Sequence, residues 1–294
     1  MNILGRIKLW IAIAIVNILI SVAVFGLWGL NTSIDFRGGS LLEINMNPKA
    51  KIGDIEKSLS DLNLKNLDIT PSEENNYILR TAEINEHKKD QIIDNLTEKF
   101  SESEILENRF ETIGPTVSRD LTQKALWAIL IASLAIILYI TWSFRNIPKP
   151  ASSWKFGIAA IITLLHDAII VIGVFVILGR FFNIEIDSLF ITAVLTVIGY
   201  SVNDTIVVFD RIRENLIKRS EIDFKTIANT AVVETLSRSL NTGLTTLMVL
   251  FALFLLGGAT IKYFVLALII GIISGTYSSI FIAAPILVMW HRRT

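Results

Sequence analysis

The hydrophobic positions of the chain form six runs that are long enough to cross a membrane. A bilayer core of about 30 Å requires about 20 apolar residues at the helical rise. The runs that meet this length with few charges are 9–30, 124–144, 156–178, 188–209, 236–256 and 263–290. The pattern predicts six membrane-spanning helices. The first run is 22 residues long and no small-residue cleavage site follows it, so we expect a retained anchor rather than a cleaved leader.

The polar stretch between the first two runs, residues 31–123, has a different pattern. Alternating apolar positions predict strands near 42–46, 67–69, 77–79 and 105–112, and helical spacing predicts helices at 52–62 and 92–100. The order β-α-β-β-α-β is the ferredoxin-like plan. The fold class is therefore a polytopic α-helical membrane protein with one α+β domain. Its scattered carboxylates indicate docking or spacing rather than catalysis.

Composition supports the membrane class and excludes several kinds of chemistry. Hydrophobic residues make up 52% of the chain, charged residues 18%, and the mean hydropathy is +0.57. The chain has no cysteine and three histidines, which excludes disulfide scaffolds and cysteine metal sites. Neither a phosphate-binding G-x-x-x-x-G-K motif nor H-E-x-x-H is present. We expect no enzymatic activity, no cofactor and no metal.

Charge is distributed unevenly although 27 basic residues balance 27 acidic ones. Residues 31–123 hold 11 Lys/Arg and 18 Asp/Glu, a net charge of −7. The basic residues that flank the spans on one side are Arg6, Lys8, Arg145, Lys149, Lys155, Arg211, Arg213, Lys218, Arg219, Lys225, Arg292 and Arg293. The short loops opposite hold Arg180 and Lys262. The positive-inside rule then predicts cytoplasmic segments 1–8, 145–155, 210–235 and 291–294, with 31–123, 179–187 and 257–262 outside.

Asp204 is an ionisable residue inside the fourth run. It lies about 9 Å from the middle of the run toward the cytoplasmic end, still within the hydrocarbon zone. A carboxylate there is costly and too short to reach the headgroups, so it requires a partner or a function. Ser201, Asn203 and Thr205 supply polar groups near it. Two interpretations stay open, a titrating proton site and a permanently paired structural ion.

Arg238 begins a polar face of the fifth run. Asn241, Thr242 and Thr245 follow it at helical spacing. The four side chains therefore place one cation and three hydrogen-bonding groups on one face of the helix. Because the fourth and fifth runs are sequential and antiparallel, the pattern predicts Arg238 within pairing distance of Asp204. The alternative is that the long Arg238 side chain extends to the cytoplasmic headgroups.

His166 and Asp167 lie near the middle of the third run. Adjacent residues point about 100° apart around a helix, so we expect them not to share a partner. Asp167 is a weaker candidate for a proton relay, the alternative being a hydrogen-bonded core group. Two glycine patterns indicate packing: Gly271 and Gly275 form a G-x-x-x-G in the sixth run, and Gly38-Gly39 permits a turn after the first.

Four segments of the chain resemble the SecF family of the bacterial SecD–SecF accessory complex in protein export. They are IDFRGGS at 34–40, IGP at 113–115, VIGYSVNDTIVVFDRIREN at 197–215 and SRSLNTGLTT at 237–246. The third is long and highly specific, and the resemblance covers essentially the whole chain.

The resemblance implies half of an RND-type transporter that is completed by SecD. It implies use of the proton-motive force to help draw exported, unfolded polypeptides from the SecYEG channel, in the bacterial inner membrane. YajC is a further implied partner; nucleic acid is not. The positions matching Asp204 and Arg238 belong to the proton path in that family, and a further essential carboxylate belongs to SecD. Two other functions stay open: half of a proton-coupled exporter of small molecules or lipids, and a purely structural translocon subunit.

Overall fold

The protein forms two compact units in a computed structural model. The structure describes residues 2–72, 75–145, 152–219 and 221–291. A helical unit comprises Met1–Asn31 and Ala125–Thr294, and an α+β unit comprises Thr32–Lys124. Three of the basic residues used to predict the topology, Lys149, Arg292 and Arg293, lie outside the described residues.

Ten helices and four strands follow one another in the described parts of the chain. In order they are α1 (Ile7–Trp28), α2 (Ile34–Arg37), β1 (Gly39–Asn47), α3 (Ile52–Leu59), β2 (Asp68–Pro71), β3 (Asn76–Thr81), α4 (Glu86–Lys99), β4 (Glu104–Ile113), α5 (Pro115–Ser143), α6 (Ser153–Phe182), α7 (Ser188–Lys218), α8 (Phe224–Leu256), α9 (Ala259–Ser278) and α10 (Ala284–His291). A π-helical turn, Ser279–Ala283, joins α9 to α10. Short 3-10 turns occupy Leu4–Arg6 and Ser60–Leu62.

The prediction of six membrane-spanning helices is confirmed, since the described residues contain six helical segments that are long and apolar enough to cross a bilayer. Several helices extend beyond the apolar runs; α8, for example, begins at Phe224 rather than at 236. Polar contacts hold this extension. Arg211 Nε and Asn215 Nδ2 of α7 donate to Glu234 Oε2 of α8, at 2.7 and 2.9 Å. Hydropathy detects the part of a helix that lipid can cover, not its full length.

Small residues allow the central helices of the helical unit to approach closely. A Cβ atom at Gly271 would lie 2.1 Å from Val197 Cγ2, and one at Gly275 would lie 3.1 Å from Ser201 Cβ. The G-x-x-x-G pattern of α9 therefore packs against α7, as small-residue motifs do in membranes. A glycine also allows α1 to pack closely against α6, since a Cβ at Gly173 would lie 2.3 Å from Ser21 Oγ.

The α+β unit has one antiparallel sheet in the order β2-β3-β1-β4. Its elements follow the predicted order β-α-β-β-α-β. One face of β1 is buried through Leu42, Ile44 and Met46, which pack with α3 and α4. Gly39 begins β1 at φ 123°, and a Cβ there would lie 2.5 Å from the Thr81 carbonyl oxygen, so only glycine fits.

Candidate functional site

Asp204 lies on α7 and is enclosed by hydroxyl groups. Its exposed fraction is 8%. Ser239 Oγ of α8 donates to Asp204 Oδ1 at 2.6 Å, and Ser279 Oγ of the π-helical turn donates to Asp204 Oδ2. Within the described residues no cation pairs with this carboxylate. Serine hydroxyls can donate to an ionised carboxylate and accept from a protonated one, so these contacts suit either protonation state.

The structure does not bring Arg238 to Asp204. Arg238 is exposed on α8, and it makes no ion pair in the described part of the chain. Its neighbour Ser239 is buried and faces the carboxylate instead. The expectation of a pair within this chain is therefore corrected. The physical reason is the 100° rotation between successive helical residues, which allows only one of the two to face α7.

Asp167 has a fuller set of partners than Asp204. It is completely buried on α6. Ser278 Oγ and Ser201 Oγ donate to Oδ2 at 2.6 and 2.5 Å, and Ser274 Oγ donates to Oδ1 at 2.7 Å. Ser201, which the sequence associates with Asp204, thus serves Asp167. Three hydroxyl donors compensate much of the cost of burying a carboxyl group.

His166 contacts its own neighbour in the chain. His166 Nδ1 lies 3.0 Å from Asp167 Oδ1. The expectation from the sequence concerns only whether these adjacent residues share a third partner. In the structure their two side chains bond each other directly. His166 Nε2 is buried and has no hydrogen-bond partner among the described residues. The third run therefore carries a joined imidazole–carboxyl pair.

The other polar residues predicted for the site divide between the core and the surface. Thr205 is buried on α7, whereas Asn203 on the same helix is exposed. Asn241, Thr242 and Thr245 are exposed together with Arg238 and form the outward polar face of α8. The charged residues just past the fourth run, from Asp210 to Lys218, form local ion pairs, such as Arg213 Nη2 with Asp210 Oδ1 at 2.6 Å.

Four of the five serines that donate to the two carboxylates are not among the residues predicted for the site from the sequence. They are Ser239, Ser274, Ser278 and Ser279. A signal existed for two of them, since Ser274 and Ser278 lie four residues apart on one face of an apolar helix. In the described residues no group of three or more acidic, histidine or cysteine side chains is arranged to hold a metal ion.

Comparison with known proteins gives consistent matches along the chain. Residues 92–293 match the family described as protein export membrane protein SecD/SecF, C-terminal. The chain is 39% identical to the protein translocase subunit SecF of Anaerolinea thermophila, covering 99% of this chain and 94% of that protein. It is 42% identical to the SecF of Thermobaculum terrenum, covering 91% of this chain and 86% of that protein.

A solved structure matches the whole chain. The crystal structure of SecDF, a translocon-associated membrane protein from Thermus thermophilus, superposes with a TM-score of 0.87 at 31% identity. The match covers 100% of this chain and 39% of that one. The present chain thus corresponds to well under half of the SecDF polypeptide.

Proposed function

Since this chain belongs to the SecF family of protein translocase subunits, we propose that it works with a SecD partner as a proton-driven accessory subunit of protein export. The proposal places it in the late steps of export, after a polypeptide has entered the SecYEG channel. The observation that carries the proposal is Asp204, a buried carboxyl group that, among the described residues, accepts hydrogen bonds from serine hydroxyls and pairs with no cation.

The proposed chemistry is reversible protonation of Asp204. Ionisable groups inside a membrane are costly and mark ion or proton pathways. Ser239 and Ser279 can rotate their hydroxyls to serve the charged or the neutral carboxyl group. A proton that binds from one side and leaves on the other moves one charge through the membrane potential, which supplies about 2.3 kcal/mol per 100 mV. That energy can bias a two-state packing of the helices.

Arg238 has a different role in this proposal. An arginine on an exposed helix face is expensive in lipid unless another protein covers it. With Asn241, Thr242 and Thr245 it forms a polar face that points away from the described part of this chain. We infer that SecD covers this face and supplies a carboxylate for Arg238. The SecDF structure, in which a SecF-like region is part of a longer polypeptide, supports such a neighbour.

Asp167 is a second relay position in the proposal. Its link to His166 adds another group that can carry a proton, and Ser201 connects it to α7. The three hydroxyl donors also suit a purely structural role for Asp167. The Asp167→Asn variant tests the relay role.

The proposed orientation has both termini in the cytoplasm and the α+β unit outside. The orientation is supported by the concentration of basic residues in the two terminal segments and in the connecting segments 145–155 and 210–235. The order β-α-β-β-α-β with an antiparallel β2-β3-β1-β4 sheet supports a ferredoxin-like fold for the external unit. The carboxylates in the described part of this unit are scattered, and we assign the unit to docking or spacing.

The test uses vesicles that contain this protein with its SecD partner and the SecYEG channel. After ATP-driven insertion of a client, completion of translocation is measured with and without a proton gradient. Asp204→Asn and Arg238→Ala should each remove most of the stimulation by the gradient while the complex still assembles. Asp167→Asn should reduce it if Asp167 is a relay group.

Asp210→Asn is the matched control, because Asp210 is an exposed acidic residue on the same helix. It should keep the full stimulation. If Asp204→Asn also keeps it, this protein is a structural subunit and the relay assignment is wrong.

A further inference from the structure

A groove in the helical unit opens beside α1. It has a volume of about 230 Å³ and lies between α1, α6 and the segment that includes the π-helical turn and α10. Along α1 its lining extends from Ile11 to Ile18, about 10 Å at the helical rise. Phe281 contacts Trp10, with ring centroids 4.3 Å apart. The next residue, Ile282, therefore lies near Ile11, and Met289 lies farther toward the end that carries the chain termini. The groove therefore runs from the end of the bundle that carries the chain termini toward the middle of the membrane.

The lining of the groove is apolar with one exception. Isoleucine, alanine, methionine and tryptophan side chains supply nine of the ten lining residues, and His166 is the tenth. Ordered water requires two to four polar partners, which this lining does not provide. A helix with its side chains is about 10–12 Å across and is too thick for the volume. A hydrocarbon chain satisfies both constraints.

Positive charge lies at the outer end of the groove. Lys8 precedes the lining residues Ile11 and Ile15 at helical spacing, so it lies on the same face of α1. Lys155 precedes Ile162 by seven residues and lies on the same face of α6. Lys8 is exposed and Lys155 is half-buried. Two cationic side chains thus occupy the end at which a lipid headgroup would sit.

Two tryptophans mark the depth of that end. The rings of Trp154 on α6 and Trp290 on α10 have centroids 5.7 Å apart, and Trp290 also lines the groove. Tryptophan is enriched at the boundary between lipid headgroups and acyl chains. The outer end of the groove, where Trp290 lies, is therefore at headgroup level, and the isoleucines lie deeper.

We propose that this groove binds one anionic phospholipid from the leaflet on the side of the chain termini. Its acyl chain lies along Ile11, Ile15 and Ile18 and passes His166, and its phosphate lies between Lys8 and Lys155. The occupant keeps water away from the outer side of the His166–Asp167 pair. The proposal does not depend on proton coupling by Asp204.

The test labels the lipid in the intact complex. The full chain with its SecD partner is placed in nanodiscs that contain phosphatidylglycerol with a diazirine on one acyl chain, irradiated, digested and analysed by mass spectrometry. Label should appear in the peptides that hold residues 11–18 and 286–290. The same diazirine on phosphatidylcholine should label these peptides less, and Lys8→Gln and Lys155→Gln should each lower phosphatidylglycerol labelling about fivefold.

A pair of substitutions on α1 separates the groove from the general lipid surface. Ala14 is buried and lines the groove, so Ala14→Phe should fill it and abolish the specific labelling. Ala12 is exposed and does not line it, so Ala12→Phe should keep the labelling. If Ala14→Phe fails to assemble, competition in the parent decides: unlabelled phosphatidylglycerol must displace the label and phosphatidylcholine must not.

Equal labelling by the two lipids would overturn the anionic headgroup site. Labelling that Ala14→Phe leaves intact in an assembled complex would overturn the groove as the binding place.

Discussion

Ser278 and Ser279 are adjacent in the chain, yet their hydroxyls donate to two different carboxyl groups. Ser278 Oγ lies 2.6 Å from Asp167 Oδ2, and Ser279 Oγ bonds Asp204 Oδ2. The pair sits where α9 changes into the π-helical turn. π-helical turns within helices often mark functional sites. This turn therefore connects the acids of α6 and α7, and a change in its winding would alter the contacts of both.

The first prediction is that the two acids are energetically coupled through this turn. In a double-mutant cycle, Ser278→Ala and Asp204→Asn should show a coupling energy of about 0.5–3 kcal/mol, because the turn that Ser278 anchors also carries Ser279. The measurement is the free energy of unfolding of the purified chain in micelles.

Ser274 provides the matched control for this cycle. It donates to the same Asp167 at 2.7 Å but lies one helical turn before the π-helical segment. Ser274→Ala combined with Asp204→Asn should give a coupling near zero. A coupling as large as that of Ser278 would mean that the carboxyl groups communicate by another route.

The second prediction concerns Ser239, the residue that occupies the place expected for Arg238. Ser239→Ala removes a buried donor to Asp204 and should lower the free energy of unfolding by about 1–3 kcal/mol. Ser237→Ala changes an exposed serine two residues earlier on α8 and should stay within about 0.5 kcal/mol of the parent.

The third prediction is that Arg238→Ala has different effects in the isolated chain and in the complex with SecD. In the isolated chain Arg238 is exposed and its loss should change stability little. In the complex, the same substitution should weaken the response to a proton gradient. A large loss of stability in the isolated chain would contradict the placement of Arg238 on a face that only a partner covers.

The fourth prediction tests the close packing of α9 on α7. Gly271→Ala forces a methyl group to within 2.1 Å of Val197 Cγ2 and should destabilise the helical unit by about 1–3 kcal/mol. Combining it with Val197→Ala should restore part of the loss, because the second change removes the clashing methyl groups. The measurement is again denaturant titration in micelles.

Gly199→Ala is the matched control, since a Cβ at Gly199 would meet no atom within 4 Å. It should be neutral or stabilising by up to about 1 kcal/mol, the difference in helix propensity. Equal destabilisation by the two substitutions would show that helix contact at Gly271 is not the cause.

The parts of this protein that depend on local periodicity can be predicted from the sequence. The six apolar runs and the alternation of Leu42, Ile44 and Met46 each report a feature that a single segment determines. The helix ends were less accessible, because the extension of α8 to Phe224 depends on contacts of Glu234 with a different helix.

The candidate site was predicted only in part for the same reason. Asp204 stands out because a carboxylate inside an apolar run is costly wherever the neighbours lie. Its partners do not stand out, since serine is common in membrane helices and its role depends on rotation and depth. Choosing between Arg238 and Ser239 requires knowing which face of α8 meets α7, a property of the tertiary packing.

The last prediction concerns pH and the α+β unit. Tyr77 on β3 is fully buried, and its hydroxyl donates to the backbone carbonyl of Ala50. Burial raises the pKa of Tyr77 above its ordinary value of 10.0. The unfolded chain therefore loses this proton first as the pH rises past 10, so the contribution of Tyr77 to stability is constant below that pH and declines above it, by at most about 1.4 kcal/mol per pH unit. Tyr77→Phe should remove this alkaline decline and cost about 0.5–1.5 kcal/mol at pH 7, because the hydrogen bond to Ala50 is lost.

The measurement is pulse proteolysis in urea on the full chain, which follows the unfolding of residues 32–124. Lysine titration contributes equally to the parent and the variant, so it cancels in the difference between their free energies of unfolding. Tyr139→Phe, a change at an exposed tyrosine of α5, should leave the alkaline decline in place. An identical decline in Tyr77→Phe and the parent would show that another group is responsible.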